Sequence, residues 1–118
     1  MKIAIVLFAV LSLGATKYPT DFDKFDETRL DNKMYLLECI KCYTDKGPCD
    51  DAGTFFKKYI GSAIATRCAD CTDIQKHLLK LFYEKGTAAY PKQMLLFNQK
   101  YDPEGKYFSD LAAALSKY

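Results

Sequence analysis

The sequence predicts an all-α domain, a compact globule of about six amphipathic helices. Three observations carry this reading. No stretch sustains the polar–apolar alternation and β-branched enrichment of a strand. Apolar side chains recur instead at spacings of three and four, the period of a helix face. Turn residues mark the joints at Asp45-Lys46-Gly47-Pro48, Gly86, Tyr90-Pro91 and Asp102-Pro103. At such joints Gly permits positive φ, and Pro cannot continue a helix.

The chain starts with a positive head, Met1-Lys2, then an apolar run from Ile3 to Leu13 and small residues at Ser12, Gly14 and Ala15. This is the layout of a secretory signal peptide, expected over residues 1–15 with cleavage near Gly14 to Thr16. The run is about half the roughly 20 residues that a spanning helix needs. No other long apolar stretch follows, so the mature chain, residues 16–118, is expected to be secreted and soluble without membrane insertion. Its roughly 103 residues form one domain. Loss of Lys2 takes the net charge from +2 to +1. A near-neutral chain has no electrostatic footprint for nucleic acid.

Tyr18 to Asp26 reads as an extended aromatic lead-in, followed by a short helix over Phe25–Leu30. The next helix runs from Asn32 to Tyr43 and stops at Gly47-Pro48. A third opens at Asp50 and Asp51, whose carboxylates suit a helix N-terminus, and ends at Arg67. Its inward face carries Phe56, Ile60, Ala63 and Ile64, with Lys57 and Lys58 off that face. Thr72-Asp73-Ile74-Gln75 has the form of a capping box. It opens a fourth helix with an apolar stripe of Ile74, Leu78, Leu81 and Phe82, stopped by Gly86. Tyr90-Pro91 starts a fifth, with Met94, Phe97 and Tyr101 on one face. The sixth covers Tyr107 to Leu115, with Phe108, Leu111, Ala112 and Leu115 inward.

Five cysteines fall in the mature chain: Cys39, Cys42, Cys49, Cys68 and Cys71. The secretory route favours disulfides over thiolates. Cys39-x2-Cys42 with Cys68-x2-Cys71 also mimics a four-cysteine zinc site. That site would strand Cys49, and Cys39 lies in the apolar stretch MYLLECI rather than on a Gly-containing knuckle. No metal and no cofactor is expected. Catalysis has little support. His77 follows Asp73 by four residues, a spacing that could orient a base, but no nucleophile can be tied to it. His77 is expected to be a surface residue and the protein not an enzyme. Asp102-Pro103-Glu104-Gly105 lacks the alternating oxygen ligands of a calcium loop.

The spacing C-x6-C-x18-C-x2-C, with DKGPC inside it, resembles the insect chemosensory protein family, also called OS-D-like. Gly53, Lys57, Lys58, Gln75-Lys76, Pro91 and the stretch Tyr101-Asp-Pro-Glu-Gly-Lys-Tyr107 extend the resemblance over about residues 17 to 108. The resemblance implies six helices around an apolar channel. It also implies two local disulfides, Cys42–Cys49 and Cys68–Cys71. By the chain-entropy model such short loops contribute about 2.5 and 1.9 kcal/mol, enough to stiffen helix ends but not to define the fold. It implies a monomeric carrier of small hydrophobic ligands: long-chain lipids and pheromone- or odorant-like compounds. The alternative is a secreted developmental or structural interaction protein of the same fold, with a reduced or vestigial pocket.

The chain departs from the family pattern at three places. Cys39 stands where an aromatic is usual, Met94 stands where a Trp often precedes YDP, and Leu79 to Ala89 matches poorly. The expected channel lining, drawn from four helices, is Leu36, Ile40, Phe56, Ile60, Ile64, Leu78, Phe82, Met94 and Phe97. A Cys39–Cys42 bond would strain its helix and orphan Cys49. Cys39 is therefore expected to be a reduced, buried thiol, which behaves as a small hydrophobe. An exposed thiol linking two chains is the alternative.

Overall fold

A computed structural model describes residues 17–118. The expected signal peptide lies outside the described residues. Among these the chain forms one 3-10 helix, Glu27–Asp31, and five α-helices. They are α1 Lys33–Tyr43, α2 Asp51–Ala65, α3 Asp73–Ala89, α4 Pro91–Tyr101 and α5 Phe108–Leu115. The first expected helix is thus a 3-10 turn, started by the Asp26 side chain accepting the Thr28 N–H. The lead-in before it is not extended: residues 21–24 form turns.

Local capping chemistry sets most boundaries. The Asn32 side chain accepts the Tyr35 N–H at the start of α1. Asp50 accepts the Gly53 N–H at 2.7 Å at the start of α2. Thr72 and Gln75 make a reciprocal capping box on α3, which satisfies two otherwise orphaned N–H groups. Pro91 takes the first position of α4, where its missing N–H costs nothing. The YDPEGKY stretch caps α5. The buried Asp102 carboxylate accepts the N–H groups of Lys106, Tyr107 and Phe108 at 2.8, 2.9 and 3.1 Å.

Three boundary and facing expectations need correction. Gly86 does not stop α3, which continues to Ala89. Gly86 is buried, and a Cβ there would stand 3.0 Å from Met94 Sδ and 3.5 Å from Ile40 Cδ1. It is a contact glycine that lets α3 approach α4 and α1, and Pro91 enforces the stop. Ile74 is 46% exposed, whereas Gln75 is buried; the capping box turns Gln75 inward instead. Ala112 is exposed, and α5 buries Leu111 and Leu115. In addition, α2 ends at Ala65, short of Arg67. Arg67 and Cys68 have φ of 56° and 62°, and the Cys68 N–H returns to the Ala63 carbonyl at 2.7 Å, a left-handed helix ending.

α1 is the hub, packed against the 3-10 helix, α2, α3 and α4. Leu36, Ile40, Ile64, Met94 and Phe97 are almost fully buried around it. Phe97 centres an aromatic cluster, with ring centroids 5.4 Å from Phe82 and 4.8 Å from Tyr101. Cys42–Cys49 ties the end of α1 to the start of α2, and Cys68–Cys71 closes the turn between α2 and α3. No helix among the described residues is long and apolar enough to cross a membrane.

Candidate functional site

Between the lead-in, the 3-10 helix and α1 to α3 lies a cavity that leaves about 80 Å³ open to the centre of a water-sized sphere. The lead-in supplies Tyr18 and Phe25, and the 3-10 helix supplies Leu30. From α1 come Tyr35, Cys39 and Tyr43; from α2 come Phe55, Phe56, Tyr59, Ile60 and Ala63. Cys71 and, on α3, Gln75, Leu78, Leu79 and Phe82 complete the wall. The wall contains no Lys, Arg, His, Asp or Glu.

Of the nine lining residues expected from sequence, Phe56, Ile60, Leu78 and Phe82 lie on this wall. Leu36, Ile40, Ile64, Met94 and Phe97 pack in the core behind it, and α4 contributes nothing to the wall. The reason is angular. Successive residues of a helix are about 100° apart. On α1 the row Tyr35–Cys39–Tyr43, at i, i+4 and i+8, faces the cavity. Leu36 and Ile40 sit one step round, towards the core centred on Met94 and Phe97. On α1 the aliphatic pair Leu36 and Ile40 faces the core, and the aromatic pair Tyr35 and Tyr43 faces the cavity. The repeat of Tyr35 and Tyr43 about Cys39, and of Phe55 and Tyr59 on α2, is the signal that would have separated them.

Cys39 is free and 7% exposed. Burial pushes its thiol up to about 11, so it is protonated at neutral pH. The other four cysteines are held in disulfides. Among the described residues, no group of His, Cys, Asp or Glu is arranged to hold a metal ion. His77 does not pair with Asp73. Its Nδ1 stands 2.6 Å from the Tyr118 carbonyl oxygen and its Nε2 3.2 Å from Glu27 Oε1, on the outer side of α3 and away from the cavity wall.

Comparison with known proteins gives a consistent result. Residues 18–109 match the model of the insect pheromone-binding family A10/OS-D. The chain is 28% identical over 104 residues to ejaculatory bulb-specific protein 3 of Drosophila melanogaster, covering 87% of this chain and 82% of that protein. It is 32% identical over 89 residues to putative odorant-binding protein A10 of the same species, covering 72% of this chain and 57% of that protein. A solved structure, a chemosensory protein in complex with bromo-dodecanol, superposes with a TM-score of 0.73 at 23% identity. That match covers 82% of this chain and 98% of the other, and it establishes the shared fold.

Proposed function

The chain belongs to the insect pheromone-binding family A10/OS-D, whose members are ligand-binding carriers rather than enzymes, and from that membership we propose that it is a secreted, monomeric carrier of small hydrophobic molecules, held in the cavity between α1, α2 and α3. The observation that carries the reading is the uncharged, apolar and aromatic-rich wall. Such a wall takes apolar ligands from water and offers no partner to an ion. Long-chain lipids and pheromone- or odorant-like compounds fit this chemistry.

Burying about 15 methylenes gains roughly 12 kcal/mol gross. Association costs on the order of 4–15 kcal/mol, so micromolar affinity is the expected scale.

The test is uptake of a fluorescent apolar probe by purified protein, with displacement by long-chain compounds. Ile60 is 6% exposed on the wall. Ile60→Asp puts an unpaired charge there and is expected to abolish uptake or unfold the protein. No uptake by the unmodified protein would instead support the interaction-protein reading. Unchanged probe affinity together with unchanged Tm in Ile60→Asp would count against this cavity.

A further inference from the structure

The polar groups of the cavity wall are not equivalent. The Tyr18 hydroxyl donates to Ser62 Oγ at 2.8 Å and the Tyr35 hydroxyl to Asp50 Oδ2 at 3.0 Å. Gln75 has its carbonyl and amide groups engaged by Thr72, Pro19 and Asp23. Tyr59 is half-buried and within reach of water. Tyr43 differs from all of these. It is only 6% exposed, and no hydrogen bond of its hydroxyl is found among the described residues. Every fully enclosed side-chain nitrogen or oxygen among those residues does have a partner. The Tyr43 hydroxyl is therefore not sealed in protein; it opens onto free space, and the space that Tyr43 lines is the cavity.

An unpaired hydroxyl in apolar surroundings is costly and uncommon. This one is also held in place. The Tyr43 backbone carbonyl accepts from Lys100 Nζ and from the Tyr101 hydroxyl, both at 2.8 Å. Its ring meets Phe82 edge-on, with centroids 5.2 Å apart. A fixed ring with a vacant donor and acceptor at its tip is a preorganised contact.

We infer that the Tyr43 hydroxyl anchors the polar end of the bound ligand, and that this end is neutral: an alcohol, an aldehyde or an ester oxygen. The inference rests on the carrier reading above. Neutrality follows from the wall. No cation lines it to balance a carboxylate, and burial drives the Tyr43 hydroxyl well above its usual range, so it stays protonated. An ionised fatty acid would enter with an unpaired charge. A neutral oxygen can accept from the hydroxyl, and an alcohol can also donate to it.

The test uses displacement of N-phenyl-1-naphthylamine by three ligands of matched length: 1-dodecanol, 1-fluorododecane and dodecanoate. Wild type is expected to prefer the alcohol to the fluoride by about fivefold, and to the carboxylate by about tenfold or more. Tyr43→Phe removes one oxygen and keeps the ring. It is expected to reduce the alcohol-to-fluoride preference to about twofold or less, each displacement being read against the variant's own probe affinity. Its ligand-free Tm should stay level or rise, because the hydroxyl has no protein partner to lose. A preserved alcohol preference, a Tm that falls by several degrees, or a wild type that prefers dodecanoate would each overturn the inference while leaving the carrier reading intact. Wild type that takes up neither the probe nor any of the three ligands would overturn both.

Discussion

Gln75 Nε2 donates to the Pro19 carbonyl at 2.8 Å. This bond links the first turn of α3 to a backbone 56 residues away in sequence. The same nitrogen reaches Asp23 Oδ1 at 3.2 Å, and Asp23 Oδ2 in turn accepts from the Thr72 hydroxyl at 3.0 Å. The capping box is thus also a clasp. It holds the lead-in so that Tyr18 and Phe25 serve as cavity wall.

Gln75→Ala should therefore do more than uncap a helix. It removes the acceptor of the Thr72 N–H and leaves the Pro19 carbonyl and Asp23 without their amide partner. The expected loss is about 2 kcal/mol in urea unfolding. Amide exchange over residues 17–26 should rise, and affinity for a hydrophobic probe should fall, while α4 and α5 keep their protection. Unchanged exchange in the lead-in would show that the clasp does not hold it.

Gly53 bears on the disulfide frame. A Cβ at this third residue of α2 would lie 3.0 Å from Asp50 Oδ1, 3.1 Å from Cys42 Sγ and 3.4 Å from Cys49 Cβ. Neither the disulfide nor the capping carboxylate can step aside without losing its own geometry. Gly53→Ala gains about 1 kcal/mol of helix propensity against about 1–3 kcal/mol of overpacking. A net loss of about 1 kcal/mol is expected. A variant as stable as wild type would mean that the Cys42–Cys49 bridge shifts freely.

Where structure depends on neighbours along the chain, the sequence was readable. Asn32, Asp50, Thr72 and Pro91 mark helix starts because a cap needs only its own first turn. The expectation of one local disulfide on either side of α2, implied by the family resemblance, matches the observed bridges. Residues with two physical uses were not readable. Gly86 could end a helix or admit a neighbour, and only the distance to Met94 decides for contact. Gln75 reads from the sequence only as the partner of the Thr72 cap, and its further contacts with Pro19 and Asp23 come from the tertiary fold. On α1, Leu36 and Ile40 are as apolar as any ligand wall, but a rotation of about 100° assigns them to the core.

His77 should give the protein a pH-dependent clamp. Its two ring nitrogens face the Tyr118 carbonyl and the Glu27 carboxylate. Those two oxygens, the Tyr118 backbone oxygen first, raise its pKa above the usual value, with partial burial and then Lys80 opposing. A raised native pKa means that the protonated form is favoured by folding. The contribution is complete below the unfolded value near 6.5 and is lost as pH rises through the native one. The urea midpoint of wild type should therefore fall from pH 5.5 to pH 8 by more than that of His77→Gln. The ring is partly exposed, so the difference should be small and should shrink in high salt. Parallel profiles for the two proteins would show that His77 adds nothing.

Cys39 gives the last prediction, because it stands between Tyr35 and Tyr43 on the cavity face of α1. Its thiol is free and buried, and burial raises its pKa to about 11. Both facts slow alkylation, one through access and the other through the thiolate fraction. Native protein should label slowly with iodoacetamide at pH 7.5 and rapidly in denaturant, and it should run as a monomer on a non-reducing gel. The native rate should keep climbing with pH past 9, where an ordinary thiol with a pKa near 8.5 levels off. Because Cys39 shares the wall with the proposed ligand site, 1-dodecanol should slow labelling further. Immediate stoichiometric labelling, or a dimer that collapses on reduction, would mean that the thiol faces solvent. Slow labelling that dodecanol leaves unchanged would place the ligand away from α1, and the argument for Tyr43 as its anchor would lose its footing.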